Sequence, residues 1–261
     1  MTQAFIPRAG AVFSADIAVP EHEREVRFYS RVLSTGANPL WREADLMNNR
    51  GIPIIGIGER GADREFLPLQ WMPHIQVEDV AASARIALEL GGVELMHSRD
   101  EGGASQWAVL QDPRGAAFGV VPIVQAGMLP PGDGEMPVAG RIAWMDLTVS
   151  NAAETRDFYQ AVIGWSVQDV EIKDGDSRYA DFNMIADDGT PLAGVCHARG
   201  VNVGLPGVWM IYLPVGDMEE SLRRVEAEGG RIVKTTRMAD GGHGYAVIED
   251  PVGACLALVA A

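Results

Sequence analysis

The 261-residue chain carries few groups able to do chemistry, and their spacing excludes most of the common kinds. The histidines His22, His74, His97, His197 and His243 never fall into a His-x-Glu-x-His or similar metal-binding pattern. The two cysteines, Cys196 and Cys255, stand far apart in apolar runs. That excludes a disulfide scaffold and a cysteine-rich zinc module. No serine occupies a nucleophile elbow. No Gly-Lys-Ser/Thr phosphate loop occurs, and no Gly-x-Gly-x-x-Gly opens a helix. What remains is acid–base and hydrogen-bonding chemistry. Asp16 and His74 lie in strand-like runs of the first half, and Asp146 and Tyr212 in those of the second. A carboxylate beside an imidazole or phenol can pass protons near neutral pH. It can equally hold a cationic or hydroxylated ligand. An aspartate on a half-buried strand can also simply tie down a backbone N–H or a tyrosine hydroxyl, and its occurrence in both halves favours that use.

The elements that must position these groups repeat. Residues Trp71 to Val121 match Trp209 to Val259 at a constant offset of 138, with Trp, Asp, Gly-Gly and Asp-Pro-x-Gly in step. Upstream, Asp16 to Tyr29 matches Asp146 to Tyr159 at an offset of 130, so the second copy holds an eight-residue insertion, spent on a longer hairpin around residues 165–185. In the first half, alternation over Val12–Val19 reads as a strand and the Val26, Tyr29, Leu33 stripe as a helix over Glu21–Leu33. Two short strands and a third, Ile52–Ile57, follow. The pattern restarts with strand Met72–Val77 and a helix over Val80–Leu90 that Gly91-Gly92 stops. Strands near Val93–Met96, Gln106–Leu110 and Ala117–Val121 complete it, with Asp112-Pro113-Arg114-Gly115 as a tight turn. The repeat predicts lobes over residues 1–122 and 141–261. The Pro- and Gly-rich stretch 123–140 is the linker between them.

Composition bounds the partners. With 36 acidic against 21 basic residues, the net charge of −15 argues against nucleic acid and anionic membranes and leaves room for a cationic ligand. No signal-like N-terminus and no apolar run long enough to span a bilayer are visible. With the free cysteines, that predicts a cytoplasmic protein.

The Phe-Tyr pairs (Phe28-Tyr29, Phe158-Tyr159), the Val-x-Asp segments (Val77–Asp79, Val215–Asp217), the Gly-Gly pairs and the terminal Asp-Pro-x-Gly turns resemble the vicinal oxygen chelate superfamily. That superfamily includes glyoxalases, extradiol dioxygenases and bleomycin-resistance proteins. Trp71, Trp209 and Trp144 are similar to its two-lobed bacterial branch. The resemblance implies an α+β fold of four βαβββ modules, forming two glyoxalase-like lobes, each an incomplete eight-stranded barrel around a cavity. Single-lobe relatives dimerise, which implies a monomer with an internal pseudo-dimer, or a homodimer.

The resemblance also implies a divalent metal at set strand positions. Those positions here hold Ser14, Met72 and Gly119 in the first lobe and Trp144, Met210 and Ala257 in the second, with a fourth near Ile54 and Leu192. None is an imidazole or carboxylate, so no metal and no other cofactor is expected there. Side chains two residues along a strand share a face. Asp16 and His74 therefore aim into the first cavity, and Asp146 and Tyr212 into the second, with Trp144 filling the lost ligand's space. Asp16 and His74 are the candidate acid–base pair. Asp146, Tyr212, Trp144, Trp107, Tyr245 and His243 are candidate substrate contacts. The leading expectation is a protein that binds a small organic ligand, aromatic or cationic, without metal. The alternatives are a metal-independent lyase, isomerase or hydrolase using an Asp-His or Asp-Tyr pair, and a metal-dependent glyoxalase- or dioxygenase-type enzyme with displaced ligands.

Overall fold

In the computed structural model the described residues are 7–125, 140–237 and 243–261. Most of the expected linker therefore lies outside them. The first half runs β1 (Val12–Val19), α1 (His22–Leu33), β2 (Ile55–Glu59), β3 (Met72–Val77), α2 (Val80–Glu89), β4 (Val93–Arg99), β5 (Ser105–Gln111) and β6 (Ala117–Pro122). The second runs β7 (Trp144–Val149), α3 (Ala152–Ile163), β8 (Ser166–Asp174), β9 (Ser177–Ile185), β10 (Pro191–His197), β11 (Trp209–Val215), α4 (Met218–Ala227), β12 (Arg231–Arg237), β13 (His243–Glu249) and β14 (Cys255–Ala260).

Two sheets result: six strands ordered β2-β1-β3-β6-β5-β4, and eight ordered β12-β13-β14-β11-β7-β10-β9-β8. The eight-strand expectation thus fails for the first half. Its residues 34–54 make one isolated bridge, Trp41 to Asn48, in place of two strands. The reason is that its buried groups serve contacts distant in the chain. The Trp41 indole donates to the Pro214 carbonyl of the other half at 2.7 Å. The Asn48 carboxamide oxygen accepts the backbone N–H groups of Arg50 and Ile52, and its NH₂ donates to Gly140. The eight-residue insertion forms the long β8–β9 hairpin as expected.

The repeated motifs explain the elements locally. The Val-x-Asp aspartates are N-caps: Asp79 accepts from the Ala82 N–H at 3.0 Å, and Asp217 from Glu220 at 2.9 Å. The first glycine of each Gly-Gly pair takes a positive φ past the helix end, 86° at Gly91 and 90° at Gly229.

The cores are shared between the halves. One apolar cluster joins β1 and α1 to β11, α4, β13 and β14; the other joins β3, α2, β5 and β6 to β7, α3, β9 and β10. Helix α1 packs on α4, and α2 on α3. Two matched polar chains pin the halves together inside these cores. Trp71 donates to the Tyr29 hydroxyl at 3.2 Å, and Tyr29 donates to Asp250 of the opposite half at 2.8 Å. Trp209 donates to Tyr159 at 2.9 Å, and Tyr159 donates to Asp112 at 3.2 Å. The other oxygen of each aspartate closes its own Asp-Pro-x-Gly turn, by accepting from Arg114 and Ala116 or from Val252 and Ala254. The Trp, the Tyr of the Phe-Tyr pair and the aspartate of the Asp-Pro-x-Gly turn in each repeat are thus used to join the two halves.

Candidate functional site

With the helix-bearing faces of the sheets turned toward each other, the opposite face of each sheet is left for a ligand. In the first sheet the alternation of β1 sends Ala15, Ile17 and Val19 into the core, and turns Ser14, Asp16 and Ala18 the other way. The register of β1 against β3 sets Ser14 beside His74, and the register of β3 against β6 sets His74 beside Gly119. The Ser14 hydroxyl lies 2.9 Å from His74 Nδ1, and His74 Nε2 lies 3.6 Å from an Asp16 carboxylate oxygen. Burial lowers the His74 pKa, and the Asp16 charge opposes that shift without reversing it. The imidazole is thus held toward its neutral form.

Two glycines make room for the pair. A Cβ on Gly56, the register partner of Asp16, would collide with the Asp16 carboxylate. A Cβ on Gly119 would come within 2.6 Å of His74 Cδ2. Gly119→Ala is therefore expected to push the imidazole off Ser14 at a cost of about 1–3 kcal/mol. Histidine NMR checks this: unchanged His74 ring signals in the variant would contradict it.

Asp16 and His74 open into a cavity of about 580 Å³. Its apolar wall includes Leu67, Met72, Met96, Trp107 and Val109, and Arg64 completes the lining. The Asp16 side chain is 54% exposed and that of His74 19%. The structure thus unites three of the expected site residues, Asp16, His74 and Trp107. Sequence reasoning missed Arg64, which sits in an irregular segment with no counterpart motif. It also missed Ser14 as the imidazole's partner, although its position two residues before Asp16 placed it on the same face.

The second sheet builds the same positions differently. Asp146 lies over Gly194 as Asp16 lies over Gly56. Both its oxygens, however, are committed. Trp144 Nε1 donates to one at 2.7 Å and the Tyr212 hydroxyl to the other at 2.9 Å. Burial raises the Asp146 pKa, with these two bonds opposing the rise. Burial, and then the Asp146 charge, push the Tyr212 phenol up. Tyr245 meets Tyr212 edge-on at 5.4 Å and lies under Lys234 at 5.6 Å. Asp146, Tyr212, Trp144 and Tyr245 therefore form one packed cluster, on a different sheet from Asp16 and His74. The His243 side chain lies outside the described residues. His97 is held by Glu94 and Ser105, each at 2.8 Å, and His197 by Asp181 at 3.0 Å.

The positions at which the resemblance places a metal do not fit one. In the first lobe they supply the Ser14 hydroxyl, already bonded to His74, the Met72 thioether, and at Gly119 no side chain at all. In the second they supply Trp144, Met210 and Ala257. A hard or borderline divalent ion wants imidazole or carboxylate. Among the described residues, no group of three or more His, Cys, Asp or Glu side chains is arranged to hold a metal. None of the described helices is long and apolar enough to cross a membrane.

Two sheets with paired helices between them define a two-domain protein of the glyoxalase type. The chain belongs to the glyoxalase/bleomycin resistance protein/dioxygenase superfamily. That family's model matches residues 141–258, and the model of a glyoxalase-like domain matches residues 13–121. The chain is similar to CFP32 of Mycobacterium tuberculosis, a glyoxylase by name, with 25% identity over 97% of this chain and 95% of that one. It is also similar to the anthracycline biosynthesis protein DnrV of Streptomyces peucetius, with 29% identity over 76% of this chain and 68% of the other. Among solved structures, the fold matches 2,2',3-trihydroxybiphenyl 1,2-dioxygenase of Sphingomonas wittichii (TM-score 0.56, 13% identity, 97% of this chain and 91% of that one). It also matches the Mn(II)-bound glyoxalase of Novosphingobium aromaticivorans (TM-score 0.53, 16% identity, 98% and 83%).

Proposed function

We propose that this chain binds a small organic molecule with an aromatic body in the cavity of its N-terminal half, without a metal at the family positions. One observation carries the reading: of two matched carboxylates, Asp16 is open to a 580 Å³ cavity, whereas Asp146 has both oxygens occupied by its own neighbours. The cavity is the right size for such a ligand, with an apolar wall and a few convergent polar groups. The name of the DnrV relative refers to a polycyclic aromatic product, which agrees with a flat ligand. In this reading Trp107 and the two methionines cover the ring system, and Asp16 and His74 orient its polar edge.

The test is ligand binding followed through tryptophan fluorescence, with Trp107→Phe to identify that ring's share of the signal, against a panel of hydroxylated aromatic compounds. Asp16→Asn or His74→Ala is expected to weaken binding by about tenfold or more, the scale of one lost hydrogen bond to a charged or buried group. Tyr212→Phe is expected to leave it unchanged. Equal losses from Tyr212→Phe, or none from the first pair, contradict the proposal.

A second reading has its own support. An imidazole kept neutral by burial, 3.6 Å from a carboxylate, is equipped to accept a proton. Metal-independent proton transfer on an oxygenated substrate then becomes the activity, with Asp16 and His74 as acid and base. It requires turnover that survives chelator and is lost in His74→Ala. Binding without turnover across the panel overturns it.

A further inference from the structure

The cavity contains one group that neither the acid–base pair nor the apolar wall uses, the guanidinium of Arg64. Its placement is set by the bare edge of β2. Gly56 and Gly58 stand two residues apart on that strand, so they share a face. The Asp16 carboxylate lies over Gly56, and an Arg64 terminal nitrogen would come within 3.1 Å of a Cβ on Gly58. The negative and positive groups thus stand over two glycines of one wall, whose Cα atoms are about 7 Å apart by the strand's rise over two residues. They do not pair: the ionic partner of Arg64 is Asp63, at 3.8 Å with the Asp63 side chain 81% exposed. A pair so long and so solvated holds the arginine weakly. Its planar fork therefore stays available to a carboxylate or phenolate.

Resting on the proposed binding role, we infer that the ligand is a hydroxylated aromatic acid. Its anionic group pairs with Arg64, and its hydroxyl, on the order of the 7 Å glycine spacing away, donates to Asp16 beside His74. This assigns the ligand a charge opposite to the one the chain's net charge of −15 favours. Net charge describes the outer surface, whereas the ligand meets the local field of the groups in the cavity, and there a guanidinium stands over one end.

The inference is tested with three probes of one shape: 6-hydroxy-2-naphthoate, its neutral carboxamide, and the cationic 6-(aminomethyl)-2-naphthol. Affinities are measured by calorimetry at low and moderate salt. The naphthoate is expected to bind about tenfold or more tightly than the amide, with the ammonium weakest. Arg64→Gln is expected to erase the preference of naphthoate over amide, weakening the naphthoate by about tenfold or more and the amide by much less. Asp16→Asn is expected to weaken the amide while retaining that preference. If all three bind wild type equally, or the cation binds best, the acid assignment fails and the binding role stands. If none binds, and Asp16→Asn changes nothing for any probe, the binding role fails with it.

Discussion

Trp209→Ala is expected to cost about 3–5 kcal/mol of stability, the scale for truncating a fully buried tryptophan. Trp209 has no exposed surface. Its ring meets Tyr159 at 5.0 Å and Trp165 at 6.3 Å, and its indole N–H donates to the Tyr159 hydroxyl. Truncation removes that ring and takes a donor from a chain that ends on Asp112 in the other half. Because the chain crosses between halves, the loss must couple across them. Trp209→Phe and Asp112→Asn should be non-additive by more than about 0.5 kcal/mol, as residues in one network are. Trp71→Ala, acting through Tyr29 and Asp250, should lose a similar amount. Chemical denaturation measures all of these. Strict additivity, or a cost under about 1 kcal/mol, would mean that the paired chains do not hold the halves together.

Glu25→Gln is expected to stabilise the protein, and only above the acid range. Glu25 is fully buried on α1, and its carboxyl is pushed up to about 8, first by burial and then by the neighbouring Asp250 charge; Glu21 adds to the rise and Arg24 opposes it. Between the ordinary value of 4.5 and about 8, the folded chain keeps a proton that the unfolded chain releases. Stability from this group is therefore complete at low pH, falls as pH rises through that window, and levels off above it. The glutamine cannot ionise, and it replaces a carboxyl whose two buried oxygens have no hydrogen-bond partner to support a charge. At pH 8 the variant should exceed wild type by a few kcal/mol, on the order of the shift's free-energy equivalent. Near pH 4.5 the two should converge. A parallel pH dependence for both proteins would contradict the assignment. The matching position in the other half is Thr155, which has no charge to bury, so Thr155→Val should leave the pH profile unaltered.

The fold was legible in the sequence wherever a residue type has one geometric use. Asp79 and Asp217 as N-caps, the positive-φ glycines, the Asp-Pro-x-Gly turns and the extra hairpin could all be read from spacing. The missing strands of residues 34–54 could not, because Trp41 and Asn48 are committed to partners distant in the chain. The site was half legible for the same reason. Strand alternation placed Asp16 and Asp146 on equivalent faces, yet only the side chains around them decide which is open. Trp144 and Tyr212 close over Asp146, whereas Ser14 and His74 leave Asp16 facing the cavity. Arg64 was invisible because nothing in an irregular segment fixes where a long side chain points.

The most direct measurement is a crystal structure of the protein soaked with 6-hydroxy-2-naphthoate. Ligand density between Trp107, Asp16 and His74, with none against Tyr212 and Tyr245, is the predicted result. Density confined to the second sheet, or a metal ion held by Asp16 and His74, would contradict it.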